Sequence, residues 1–185
     1  MMKKKKKDKK ETVWYFDKNL GFEVMAGRYR IPARTGIQVA LDLTHVMTDT
    51  SETPQNCAVH VTADRPISVE FFSTGACSGG SFLALQTQVL GKKYVVASYN
   101  NNDGTGGLFG GFLGPKEIEV SHGFFEIIAA YDSTKVTITP NATTMGGHVG
   151  VNSGIGSTGI PKPYTVKLRR GQCYMVKCAG SDSTT

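Results

Sequence analysis

Between Cys57 and Tyr99 the chain reads CAVHVTADRPISVEFFSTGACSGGSFLALQTQVLGKKYVVASY, and its two-residue periodicity constrains the fold more than any other feature. Val59 and Val61 share one face of the first run; Ile67, Val69 and Phe71 share one face of the second. Alternating β-branched and aromatic residues mark a half-buried strand, because successive side chains on a strand point to opposite sides. Between these runs stands Ala63-Asp64-Arg65-Pro66. Asp bonds back to turn backbone, and Pro fixes φ and lacks an N–H, so the spacing predicts a reversal there.

The unit recurs in FFEIIAAYDSTKVTITP (124–140), where an Asp-led turn separates two alternating runs, and in PYTVKLRRGQCYMVKC (163–178), where Arg169-Arg170-Gly171 is the turn. Each of the three units reads as a hairpin. The pattern predicts strands near 22–25, 28–32, 37–43, 57–63, 67–73, 93–99, 124–131, 135–139, 164–169 and 172–178. One short helical turn is expected near 84–90, where apolar residues lose their alternation before Gly91. The expected fold is all-β, an antiparallel β-sandwich built from hairpins with long Gly-rich loops.

With 185 residues the chain can bury one core. The expected division is a disordered Lys-rich tail over 1–12 and a single domain over 13–185, a module of a longer protein. The net charge of +6 misleads, because the seven lysines and one aspartate of MMKKKKKDKK account for all of it. The rest carries equal numbers of basic and acidic residues, which argues against a nucleic-acid groove. The lysines resemble the start of a secretory signal, yet ETVWYFDKNLGF offers no apolar stretch to follow them. No run approaches the roughly 18 apolar residues of a membrane span, so membrane insertion is not expected.

Nothing in the residue order assembles a catalytic or metal site, and no cofactor is expected. There is no G-x-S-x-G elbow, no phosphate-binding Gly loop and no CxxC pair, and His45, His60, His122 and His148 are scattered. The four cysteines are Cys57, Cys77, Cys173 and Cys178. They read either as small buried apolar residues or as disulfide partners, depending on the redox compartment. If bridged, Cys57 and Cys77 are the expected pair, because the first hairpin brings their neighbourhoods together. Asn141-Ala142-Thr143 is a glycosylation sequon placed where a surface loop is expected.

Two Gly-rich stretches, 100–115 and 145–161, exceed what hairpins need. The first carries Leu108, Phe109, Phe112 and Leu113. These side chains either fold back over a sheet edge or form an apolar contact for a partner. Burying all four is worth roughly 6–10 kcal/mol before ordering costs.

The order VHVTADRPISV, FLALQTQVLGKKYVVASY, FFEIIAAYDSTKVTITP and YTVKLRRGQCYMVK resembles the N-terminal domain of the IgG Fc-binding protein family. The matching positions are Thr62, Asp64, Pro66, Val69, Leu85, Leu90, Gly91, Tyr94, Asp132, Thr134, Val136, Thr137, Ile138, Thr139, Pro140, Leu168, Gly171, Gln172 and Tyr174, spread over about residues 20 to 178. Gln86 stands where the family usually has Pro, the family's opening strands are missing or replaced by the lysine tail, and the chain stops short of a further strand-turn-strand. The resemblance implies a non-enzymatic extracellular or cell-surface module that binds a protein or glycan partner or neighbouring copies of itself. A structural unit of a larger surface polymer, with no soluble ligand, is the alternative it leaves open. The matched residues are turn and core positions, so antibody binding does not carry over with them.

Overall fold

A computed structural model describes residues 9–42, 46, 48, 50–74, 79–97, 123–150 and 162–179. Ten strands are assigned: β1 (Lys9–Phe16), β2 (Glu23–Ile31), β3 (Gln55–Asn56), β4 (Val59–Ala63), β5 (Glu70–Thr74), β6 (Gly79–Leu83), β7 (Phe124–Ile128), β8 (Thr134–Ile138), β9 (Tyr164–Leu168) and β10 (Gln172–Lys177). They form four small antiparallel sheets in the orders β2-β1-β4, β3-β10-β7, β5-β6 and β8-β9. The expected helical turn is a single 3₁₀ turn at Thr87–Val89. All-β is therefore the observed class.

Strand positions follow the alternation, but strand partners do not follow the expected hairpins. None of the three hairpin units pairs with itself. β4 lies against β1, with Val61 opposite Val13. Asp64, expected to close a turn, instead extends that pairing: its Oδ1 accepts from the Lys10 amide at 2.9 Å, and its own amide donates to the Lys10 carbonyl at 3.1 Å. Pro66 has no N–H to offer a ladder, and the next strand begins only at Glu70. That strand pairs with β6, placing Phe71 opposite Phe82. β6 was not expected, because its Gly-Gly-Ser start carries no alternation to read.

β1 begins at Lys9, inside the stretch assigned to the tail. Its ladder with β2 sets Lys9 opposite Ile31 and Glu11 opposite Tyr29, so backbone pairing outweighs the charge run. β2 is one strand rather than the two expected around Ala26-Gly27. The register slips by one residue between Val13 and Trp14, so the interruption is a bulge. The strand expected over 37–43 is absent through residue 42 and that over 93–99 is absent through residue 97. Val39 and Leu41 are half-buried and their neighbours exposed, so the faces were read correctly. Alternation assigns faces, but a strand also needs a partner ladder, and no described segment supplies one.

The main core draws its residues from β7 and the residue after it, β8, β9 and β10. Ala129, Ile138, Leu168, Tyr174 and Val176 form its buried centre, flanked by Phe125, Ile127, Val136, Tyr164 and Val166. β7 and β8 are joined by a corner rather than a hairpin, and so are β9 and β10. The expected self-pairing therefore fails because the two strands of each unit join different sheets. β10 is buried along nearly its whole length. Tyr174 and Val176 face that core, while Cys173 packs in a second cluster with Phe16, Cys57 and Ala58.

Candidate functional site

The two corners stack, and their chemistry explains their sequences. Gly171 donates to the Ala129 carbonyl at 2.8 Å and Ala129 to the Gln172 carbonyl at 2.9 Å, which holds one corner against the other. Asp132 Oδ1 accepts from the Arg170 amide at 3.1 Å, and Thr134 Oγ1 donates to the Tyr131 carbonyl at 2.6 Å. Gln172 Oε1 closes its own corner by accepting from the Arg169 amide at 2.8 Å. Ser133 and Gly171 take positive φ values of 57° and 79°. At Gly171 a Cβ would run into the Phe16 ring, so a larger residue there would force the ring to move.

Asp132, Thr134, Leu168, Gly171 and Gln172, five of the motif positions, thus meet at one double corner, with Leu168 fully buried beneath it. A family model described as IgGFc binding protein matches residues 80–185. The chain belongs to that family. The match covers more than half of the sequence, but it starts after Thr62, Asp64, Pro66 and Val69, which the resemblance had included. No match was found among curated proteins or among solved structures. For this member of the IgGFc binding protein family, the motif residues described above build the corner.

Among the described residues, exposed apolar side chains gather on the β5-β6 ribbon and the segment after it. Phe72, Phe82, Leu83 and Leu85 are 52%, 54%, 62% and 60% exposed. The Phe71 and Phe82 rings lie 5.3 Å apart, tilted by 35°, and so support each other across the two strands. Tyr131 fastens this region to the double corner by donating to the Thr87 carbonyl at 3.1 Å. A two-stranded ribbon is marginal by itself, and among the described residues no third strand joins it.

Two polar clusters sit elsewhere. His60 Nδ1 lies 2.7 Å from Glu23 Oε1, and Arg170 reaches both Glu23 oxygens at 3.3 Å while its guanidinium covers the Phe16 ring at 5.6 Å. His60 is therefore part of a fastening between β2, β4 and the β9-β10 corner. Glu52, at a φ of 56°, accepts through Oε1 from Thr144 Oγ1 at 2.8 Å and from the Tyr164 hydroxyl at 3.0 Å. The His148 ring lies flat on Tyr164, with centroids 3.6 Å apart. Burial, then the Glu52 contact, pushes the Tyr164 hydroxyl far above the usual tyrosine range. Glu52 Oε2 is buried with no partner among the described residues. With His148 Nε2 also 3.8 Å from Glu52 Oε1, the cluster ties together the chain around 52, the bend at 144–148 and β9.

Leu108, Phe109, Phe112 and Leu113 lie outside the described residues, as do Cys77, His45 and His122. Asn141 is exposed in a bend after β8. Cys57 is buried and lies beside Cys173 rather than in a β4–β5 hairpin. The Cys57 and Cys173 sulfurs and a Glu126 carboxylate oxygen all fall within 4.8 Å of one another. Sequence spacing could not reveal this cluster, since its members come from three strands or their ends and only the sheet order gathers them. Hydrogen bonding to Cys57, then burial, raises the Cys173 thiol far above its ordinary range, and desolvation raises Glu126. Among the described residues, no helix is long and apolar enough to cross a membrane.

Proposed function

We propose that this chain is a protein-binding module of a secreted or cell-surface protein, with the β5-β6 ribbon as its contact surface. The single observation that carries this reading is the exposure of Phe72, Phe82 and Leu83 on a ribbon too small to be stable alone. A third strand from a partner protein would pair an open ribbon edge and cover the aromatic side chains in one step, as in strand addition. A glycan offers no backbone ladder, which favours a protein. Family membership supports a binding role and an extracellular location, and Asn141 is accessible to a glycan in that setting.

We read the two sheets around the main core as halves of a sandwich, and the Leu108, Phe109, Phe112 and Leu113 loop as a second part of the contact. Adhesion is the role this arrangement suits, with no catalytic step. A structural unit in a surface polymer uses the same ribbon but takes a second copy as the partner. Analytical ultracentrifugation of the full chain and biolayer interferometry against immunoglobulin Fc test both readings. Since the motif residues carry no Fc contact, any complex must form through the ribbon: the expected result is a saturable complex with a second copy or with Fc, weakened at least about tenfold by F72S/F82S with the melting temperature unchanged. A chain that stays monomeric and leaves Fc unbound overturns the proposal. So does an F72S/F82S pair that melts much earlier, which would place the ribbon in the core.

A further inference from the structure

We propose that Cys57 and Cys173 are joined as a disulfide when this chain folds in the presence of an oxidising disulfide. The sulfurs already lie within 4.8 Å of each other, and both residues are almost fully buried, at 2% and 1% exposure. The backbone on each side is held. Gln55 pairs with Cys173 in the β3–β10 ladder, and the Ala58 amide donates to the Gly171 carbonyl at 3.3 Å. Neither thiol can swing far from the other without breaking that ladder, so bridging needs only a local approach of the two sulfurs rather than a rearrangement of the fold.

The chemistry balances as thiol–disulfide exchange. One cysteine thiolate attacks a sulfur of the oxidant, such as glutathione disulfide, and expels a thiolate. The second cysteine then attacks the mixed disulfide, forming the Cys57–Cys173 bond and expelling the second thiolate. The two cysteines lose two protons and two electrons, and the oxidant gains both as two thiols. Cys57 Sγ donates to Glu126 Oε1 at 4.0 Å, so the carboxylate stands within reach of the thiol proton. Once the cluster with Phe16 and Ala58 has closed, the thiols are shielded, so the bond forms during folding and slowly afterwards. The bridge would close a loop on the order of a hundred residues and staple the chain before β4 to β10, within the family-matched region.

The test is to refold the full chain in a mixture of reduced and oxidised glutathione with a chelator, then digest it unreduced with chymotrypsin, which cuts between Cys57 and Cys77. A peptide cross-linked through Cys57 and Cys173 is expected, with a melting temperature several degrees above the reduced chain. C57S and C173S should each lose that gain and C77S should keep it. A Cys57–Cys77 cross-link overturns the proposal, as do two alkylatable thiols at 57 and 173 after refolding. A parallel refolding with zinc and no chelator that leaves both thiols reduced around one bound ion would assign Cys57, Cys173 and Glu126 to a metal instead.

Discussion

At Gly171 two constraints coincide, a φ of +79° and a Phe16 ring where a side chain would go. Gly171→Ala should therefore cost about 2–4 kcal/mol, since backbone strain and overpacking add. Urea unfolding would show this as a lower midpoint with an unchanged slope. Glu126 tests a different quantity. Glu126 is exposed as a residue, but its carboxyl lies against the buried cysteines, and this partial desolvation raises its pKa, so the folded chain binds that proton more readily than the unfolded chain. The carboxyl therefore destabilises the fold as pH rises from its unfolded pKa through its raised folded pKa, and the penalty is absent below both. Glu126→Gln keeps an acceptor for Cys173 and removes the charge. Its melting temperature should exceed the parent's near about pH 7 and approach it as the pH falls below the carboxylate range. Both residues were visible in the sequence, but only Gly171 could be read there, because a turn Gly announces itself and a desolvated Glu does not.

Elements differ in how much of their surroundings a periodic pattern reveals. β9 alternates half-buried and exposed residues, as its sequence does, and ends on the fully buried Leu168. Leu168→Ala should cost about 2–5 kcal/mol, measured by chemical denaturation. Val95, in a run of similar β-branched character, is 95% exposed, and Val95→Ser should change stability by no more than about 0.5 kcal/mol in the same assay. The contrast shows the limit of composition: YVVA and YTVKL read alike, yet among the described residues only the second has a strand beside it. β10 goes further, because a strand buried on both faces draws its neighbours from two sheets, and nothing in QCYMVK names them.

Across the whole molecule, the N-terminal sheet joins the family-matched region through a narrow seam. Phe16 fills it, with its amide on the Ala58 carbonyl at 3.0 Å, its ring against Gly171 and the Arg170 guanidinium above. Phe16→Ala should cost about 3–5 kcal/mol and convert a single calorimetric transition into two, as the N-terminal sheet melts before the rest. One transition with an unchanged midpoint would mean that the seam carries no coupling.

By itself the sequence determined the all-β class, most strand positions, the corner residues around Asp132 and Gly171, and the family. Each of these depends on local physics: side-chain alternation, turn stereochemistry and the absence of helical periodicity. The partner of every strand from β4 to β10 was decided only in three dimensions, and with it the meeting of Cys57, Glu126 and Cys173. Hairpins and corners use the same turn residues and the same alternation, and differ only in whether the second strand returns beside the first or joins another sheet. That choice rests on burying Tyr174, Leu168 and Ile138 together, an energy shared among segments far apart in the chain and carried by no one of them.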